Sequence, residues 1–157
     1  MADTPPARYL APGWFTKHVF NRLVRTATRA GVSVWGSREL RVRGRRSGAA
    51  RSNVVNLLDH DGRRYLVAPR GETEWVRNLR AAGTGELRVG RRVEAFTAVE
   101  VDDADKVDIL RTYLRRWKWE VGQFFQGVGP DASDDELLRI APGHPVFTVT
   151  AYRPSAP

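Results

Sequence analysis

Between Arg38 and Arg51 the chain carries six arginines against a single acid, Glu39. Three of them, Arg45, Arg46 and Arg51, lie in or just after the segment Gly44-Arg45-Arg46-Ser47-Gly48. Guanidinium is a planar, permanently charged fork that grips phosphate or carboxylate through parallel hydrogen bonds. The bracketing glycines let the backbone take unusual dihedrals and approach a ligand closely. Successive N–H groups in such a bend make a concavity suited to an anion. Ser47 and Ser52 add hydroxyl donors. The segment therefore reads as a holder for a multiply charged anion. The plainer reading is a solvated basic hairpin tip.

Little else in the chain offers chemistry of its own. There is no cysteine, so thiolate nucleophiles, disulfides and cysteine-bound metals are excluded. His18, His60 and His144 show no metal-ligand spacing, and no set of general acid, base and nucleophile stands out. The formal charge of +8 calls for an anionic partner, and of 26 basic residues only Lys17, Lys106 and Lys118 are lysine. A nucleic acid fits that charge less well than a small molecule, because the arginines concentrate at one turn and no aromatic residue interleaves with them. No apolar run is long enough to cross a bilayer and the first residues lack the apolar core of a signal peptide, which gives a cytoplasmic expectation.

The elements that must position the arginines follow from hydrophobic spacing. Residues 1–12, with Pro5, Pro6 and Pro12, read as a flexible arm, and 13–157 as one domain. Phe15, Val19, Phe20, Leu23 and Val24 recur at helical steps over 13–30. This basic amphipathic helix has two readings, packing on the body of the protein or contact with an anionic membrane surface. Leu40 and Val42 alternate with Arg41 and Arg43, the period of a strand. Residues 53–58 and 64–68 form a strand pair across Asp61-Gly62. A helix is expected over 74–82, a second hairpin over 86–101, a helix from about 104 with Val107, Leu110, Leu114, Trp117 and Val121 as its apolar stripe, a polar loop over 129–135, and a last strand over 146–152. The fold class is α+β, a small barrel of mainly antiparallel strands with helices packed around it.

Gly44-Arg45-Arg46-Ser47-Gly48 with Arg51 resembles the G-R-K-S-G-x-x-R segment of the deazaflavin-dependent nitroreductase family. The likeness continues through the hairpin Asp61-Gly62-Arg63-Arg64-Tyr65-Leu66-Val67-Ala68. Trp75-Val76-Arg77-Asn78-Leu79-Arg80-Ala81 is similar to the family's W-Y-x-N-L-x-A helix, Val89-Gly90-Arg91-Arg92 to its V-G-G-R hairpin, and Pro145-Val146-Phe147 to its P-V-F. The order and spacing hold over about 38–152.

The resemblance implies a split β-barrel that binds the deazaflavin coenzyme F420, whose reduced form gives a hydride to an electron-poor acceptor such as a quinone, an enone or a nitro compound. It implies that Arg45, Arg46, Ser47, Gly48, Arg51 and Ser52 hold the phosphate and acidic tail, and that Asn53, Val54 and Val55 border the ring. Ala68, Pro69, Arg70 and Gly71 form a shortened version of the family's second cofactor loop. Tyr113 and Trp119, with Phe125, stand where the family places substrate-side groups, without its usual tyrosine pair. Split barrels of this sort are often dimeric. FMN or FAD in place of F420, and a carrier without turnover, are the alternatives.

Overall fold

The structure is a computed structural model that describes residues 36–152. The arm at 1–12 and the helix expected over 13–30 lie outside the described residues. The strands are β1 (Ser37–Arg43), β2 (Ala50–His60), β3 (Arg63–Val67), β4 (Thr84–Val89), β5 (Arg92–Glu100) and β6 (Val146–Ala151). They close into a barrel in the order β1-β2-β3-β6-β5-β4, every pair antiparallel. The helices are α1 (Glu74–Ala82), α2 (Val107–Val121) and α3 (Asp134–Ile140).

Side chains on a strand alternate between its faces, so each strand supplies the barrel interior at every second position. Leu40 and Val42, Val55 and Leu57, Leu66, Leu87, Phe96, Phe147 and Val149 share one buried cluster. Trp75, Val76 and Leu79 of α1 join it and seal one end, with Trp75 set against Phe147 at a ring separation of 6.2 Å. The alternate residues Leu58, Tyr65, Val67 and Val146 face outward and are covered by α2 and α3 through Leu110, Tyr113, Leu114, Trp117 and Leu137. The arginine-rich bend thus springs from a strand pair whose inner face, through Leu40, Val42 and Val55, belongs to the barrel core.

Asp61 and Gly62 take φ of 51° and 72°, both in the left-handed region that a two-residue hairpin of this twist requires. Gly85 is set by contact: a Cβ there would lie 2.8 Å from Phe96 Cζ and 3.0 Å from the Arg41 carbonyl oxygen. The loop expected over 129–135 gives way to α3 at Asp134, with the Ser133 hydroxyl accepting a hydrogen bond from the Glu136 N–H at 3.2 Å. That is the serine half of a capping box, legible as Ser133-x-x-Glu136 and masked by the acidic composition of the first turn. Asp102 makes no side-chain cap; a short 3-10 turn at Asp103–Asp105 precedes α2 instead.

Candidate functional site

The bend between β1 and β2 is internally bonded. The Gly44 N–H donates to the Ala49 carbonyl at 2.8 Å, the Gly48 N–H to the Gly44 carbonyl at 2.9 Å, and the Ala49 N–H to the Ser47 hydroxyl at 3.2 Å. A Cβ on Gly44 would stand 3.0 Å from Ser47 Oγ and 3.2 Å from the Ala49 carbonyl oxygen, so the turn closes over a position where a larger side chain would crowd it.

Asn78 fixes the bend to the body of the protein. Its side chain is 4% exposed, and its Oδ1 accepts from the Arg45 backbone N–H at 3.1 Å and from Arg45 Nη1 at 2.8 Å. Arg45 Nη1 also reaches Glu74 Oε2 at 2.8 Å, which holds the Glu74 carboxyl below the usual carboxylate range. Glu74 and Asn78 lie four residues apart on α1, hence on one helix face. Arg45 is therefore half-buried and partly neutralised. Arg46, Ser47, Gly48 and Arg51 are exposed, and Ser52 is half-buried. No described residue forms an ion pair with Arg46 or Arg51. The bend presents open guanidinium groups on a rigid footing, a donor set that fits the phosphate and carboxylates of an anionic tail.

The second loop runs directly into the helix that anchors Arg45. The Ala68 N–H is taken by the Pro145 carbonyl at 2.8 Å, and the Gly71 N–H by the Ala68 carbonyl at 3.2 Å. Ala68 is wholly buried, while Pro69 and Arg70 are half-buried. On β2, Asn53 and Val54 are half-buried, and the Val55 side chain belongs to the barrel interior, which leaves its backbone as the part that faces other groups. The bend lines neither a cavity of about 850 Å3 at the far end of the barrel nor one of about 330 Å3 beside Glu72 and Arg80. Arg46, Ser47, Gly48 and Arg51 lie on the surface.

Two of the aromatic candidates belong to the core. Tyr113 is 1% exposed and Phe125 fully buried, the latter stacked on His144 at 4.1 Å, so neither has surface to offer a substrate. The Tyr113 hydroxyl bonds Asn56, and burial pushes its pKa up. Trp119 is 62% exposed. Sequence spacing missed Glu120: Asn56 Nδ2 donates to its Oε2 at 3.3 Å, and burial raises its pKa. Nothing in the sequence alone brings Asn56 and Glu120 together, because they meet only when α2 lies across β2.

Comparison with known proteins bears on the family and the fold. A profile of the F420H(2)-dependent quinone reductases matches residues 17–124. Similar solved structures include one described as a domain-swapped dimer, 19% identical with a TM-score of 0.53, over 87% of this chain and 97% of the other. Another is an F420-H2 dependent reductase, FDR-A, 17% identical with a TM-score of 0.52, over 73% and 94% of the two chains. A third is the protein Atu2129 of unknown function from Agrobacterium tumefaciens, 12% identical with a TM-score of 0.54, over 90% and 57%. No curated protein matches the chain. The fold and the profile define a split-barrel oxidoreductase. The chain belongs to the F420H(2)-dependent quinone reductase family, an enzyme family whose cofactor is coenzyme F420. No helix among the described residues is long and apolar enough to cross a membrane.

Proposed function

We propose that the chain reduces a quinone-type acceptor with F420 held by its tail at the Gly44–Gly48 bend. The observation that carries this reading is the exposed pair Arg46 and Arg51 beside an Arg45 fixed by Asn78. The coenzyme, when bound, supplies the hydride. The protein's part is to bind, orient and exclude. Arg45, Arg46 and Arg51 neutralise the tail, with hydroxyl donation from Ser47 and Ser52. Asn53, Val54, Val55 and the loop Ala68–Gly71 would border the ring, and Trp119 the acceptor. Rigid attachment matters because a ring displaced by about 1 Å loses on the order of a hundredfold in rate.

Equilibrium titration of F420 and of FMN tests the reading. Micromolar F420 binding that is lost in Arg46→Ala/Arg51→Ala, with the circular dichroism spectrum kept, is the expected result. Equal affinity in wild type and variant would refute the tail assignment. Turnover of F420H2 with a quinone, set beside an enone and a nitroaromatic, identifies the acceptor class, and binding without turnover of any would leave a carrier. The dimer suggested by the swapped relative is a further part of this proposal, checked by light scattering.

A further inference from the structure

The inward-facing stripes of the barrel are apolar for most of their length and then turn charged together at the end away from α1. On β1 the stripe runs Val42, Leu40, Arg38; on β3 it runs Leu66, Arg64; on β5 it runs Phe96, Glu94, Arg92. The charged ends of these stripes, Arg38, Arg64, Glu94 and Arg92, surround the mouth of the cavity of about 850 Å3, whose floor is apolar through Leu57, Leu87 and Val89. Its size is that of a small-molecule pocket. Among the described lining residues Glu94 is the sole acid, and it is already bonded to Arg64. Arg38 donates to the Ser37 carbonyl at 2.9 Å. Burial lowers its pKa, Asp59 opposes that as the next largest influence, and the cations Arg92, Arg64 and Arg116 lower it further.

Like charges gathered at the rim of a half-enclosed space with an apolar floor cost stability in the empty protein. An anion relieves that cost, and an apolar body attached to it covers the floor. We infer that the barrel mouth is a second ligand site, separate from the Gly44–Gly48 bend, for a small organic anion whose acidic group meets Arg38 and Arg92 and whose apolar part lies on Leu57, Leu87 and Val89. The bend lacks such a floor, and the mouth lacks the glycine-bracketed turn. The two sites therefore select different anions, one multiply charged and the other amphiphilic.

The test uses 8-anilinonaphthalene-1-sulfonate and its uncharged relative N-phenyl-1-naphthylamine as fluorescent probes on the full chain. The sulfonate is expected to saturate one site per chain, with an affinity at least about tenfold above that of the neutral probe, the scale of one charge-assisted contact. Arg92→Ser alters an exposed rim residue and is expected to weaken the sulfonate about fivefold or more while leaving the neutral probe and F420 titrations unchanged. Arg38→Met gives the same pattern if it folds. Equal affinity for the two probes, no effect of Arg92→Ser, or displacement of the sulfonate by F420 would each overturn the inference. Because F420 binding is read separately, a failure here leaves the assignment at the bend standing.

Discussion

Asn78 Oδ1 receives both the backbone N–H and the guanidinium of Arg45, at 3.1 and 2.8 Å, so one buried amide oxygen sets the position of the bend and the aim of its first arginine. The binding proposed at the bend and the stability of the fold are joined through that atom. Asn78→Ala leaves the Arg45 N–H without its partner and is expected to cost about 1–3 kcal/mol. Urea denaturation should show that loss, and F420 titration a weakened affinity in the same variant.

Arg46 and Arg51 predict the opposite separation. Both are exposed and form no ion pair with a described residue, so removing them disturbs little packing. Each alanine variant is expected to stay within about 0.5 kcal/mol of wild type. F420 affinity should drop about tenfold for each, the size of a lost charge-assisted contact, and the drop should shrink as salt is raised.

Gly85→Ala is expected to destabilise the barrel by about 1–3 kcal/mol, because the added methyl meets the Phe96 ring and the Arg41 backbone at distances no repacking of one side chain relieves. Thermal denaturation measures it. Phe96→Leu in the same chain should recover part of the loss, since the ring is the closer of the two obstacles.

Tyr113→Phe removes a buried hydroxyl that bonds Asn56. Stability should fall by about 0.5–1.5 kcal/mol, while kcat with any accepted quinone stays within about threefold of wild type. A collapse of kcat would return Tyr113 to the active site.

Two carboxylates predict opposite pH trends. Burial raises the Glu120 pKa, so the folded state holds its proton longer than the unfolded chain does. Glu120 therefore costs stability as pH rises from the ordinary glutamate range through its raised value, and the cost is absent below that range. Glu120→Gln should have the higher Tm at neutral pH, and the gap should close by about pH 4. Glu72 is paired bidentately with Arg80 at 2.9 and 3.0 Å, and that hydrogen bonding lowers its pKa. Its contribution is present above the ordinary range and is lost as pH falls through its lowered value, so Glu72→Gln should be the less stable protein at neutral pH.

Much of the barrel was legible because period-two patterning and glycine turns are local signals. Residues 74–82 read as a helix and form α1 over that span, and Asp61-Gly62 marks its hairpin unaided. The aromatic residues were harder. Tyr113 and Trp117 lie on the same stripe, but spacing does not say whether a helix face meets a cavity or another wall, and here it meets Leu58, Tyr65 and Val67. Asn78 is legible only as part of the 74–82 helix, because its acceptor role toward Arg45 depends on where α1 crosses the end of β1. The charged rim was hidden for a related reason: Arg38, Arg64 and Arg92 are distant in sequence and converge only once β1 pairs with β4 and β3 with β6.

Because β4 returns to pair with β1, every described strand has two neighbours, and main-chain groups open to another polypeptide are confined to stretches such as Ala50–Asn56 of β2, which pair with β1 alone. For the described barrel two routes to self-association follow: apposition of side-chain surfaces, or exchange of a whole strand after existing ladders have opened. The first forms and dissolves quickly with concentration. The second must cross an unfolding barrier, so swapped and unswapped forms, once separated on a sizing column, would keep their identities for long periods.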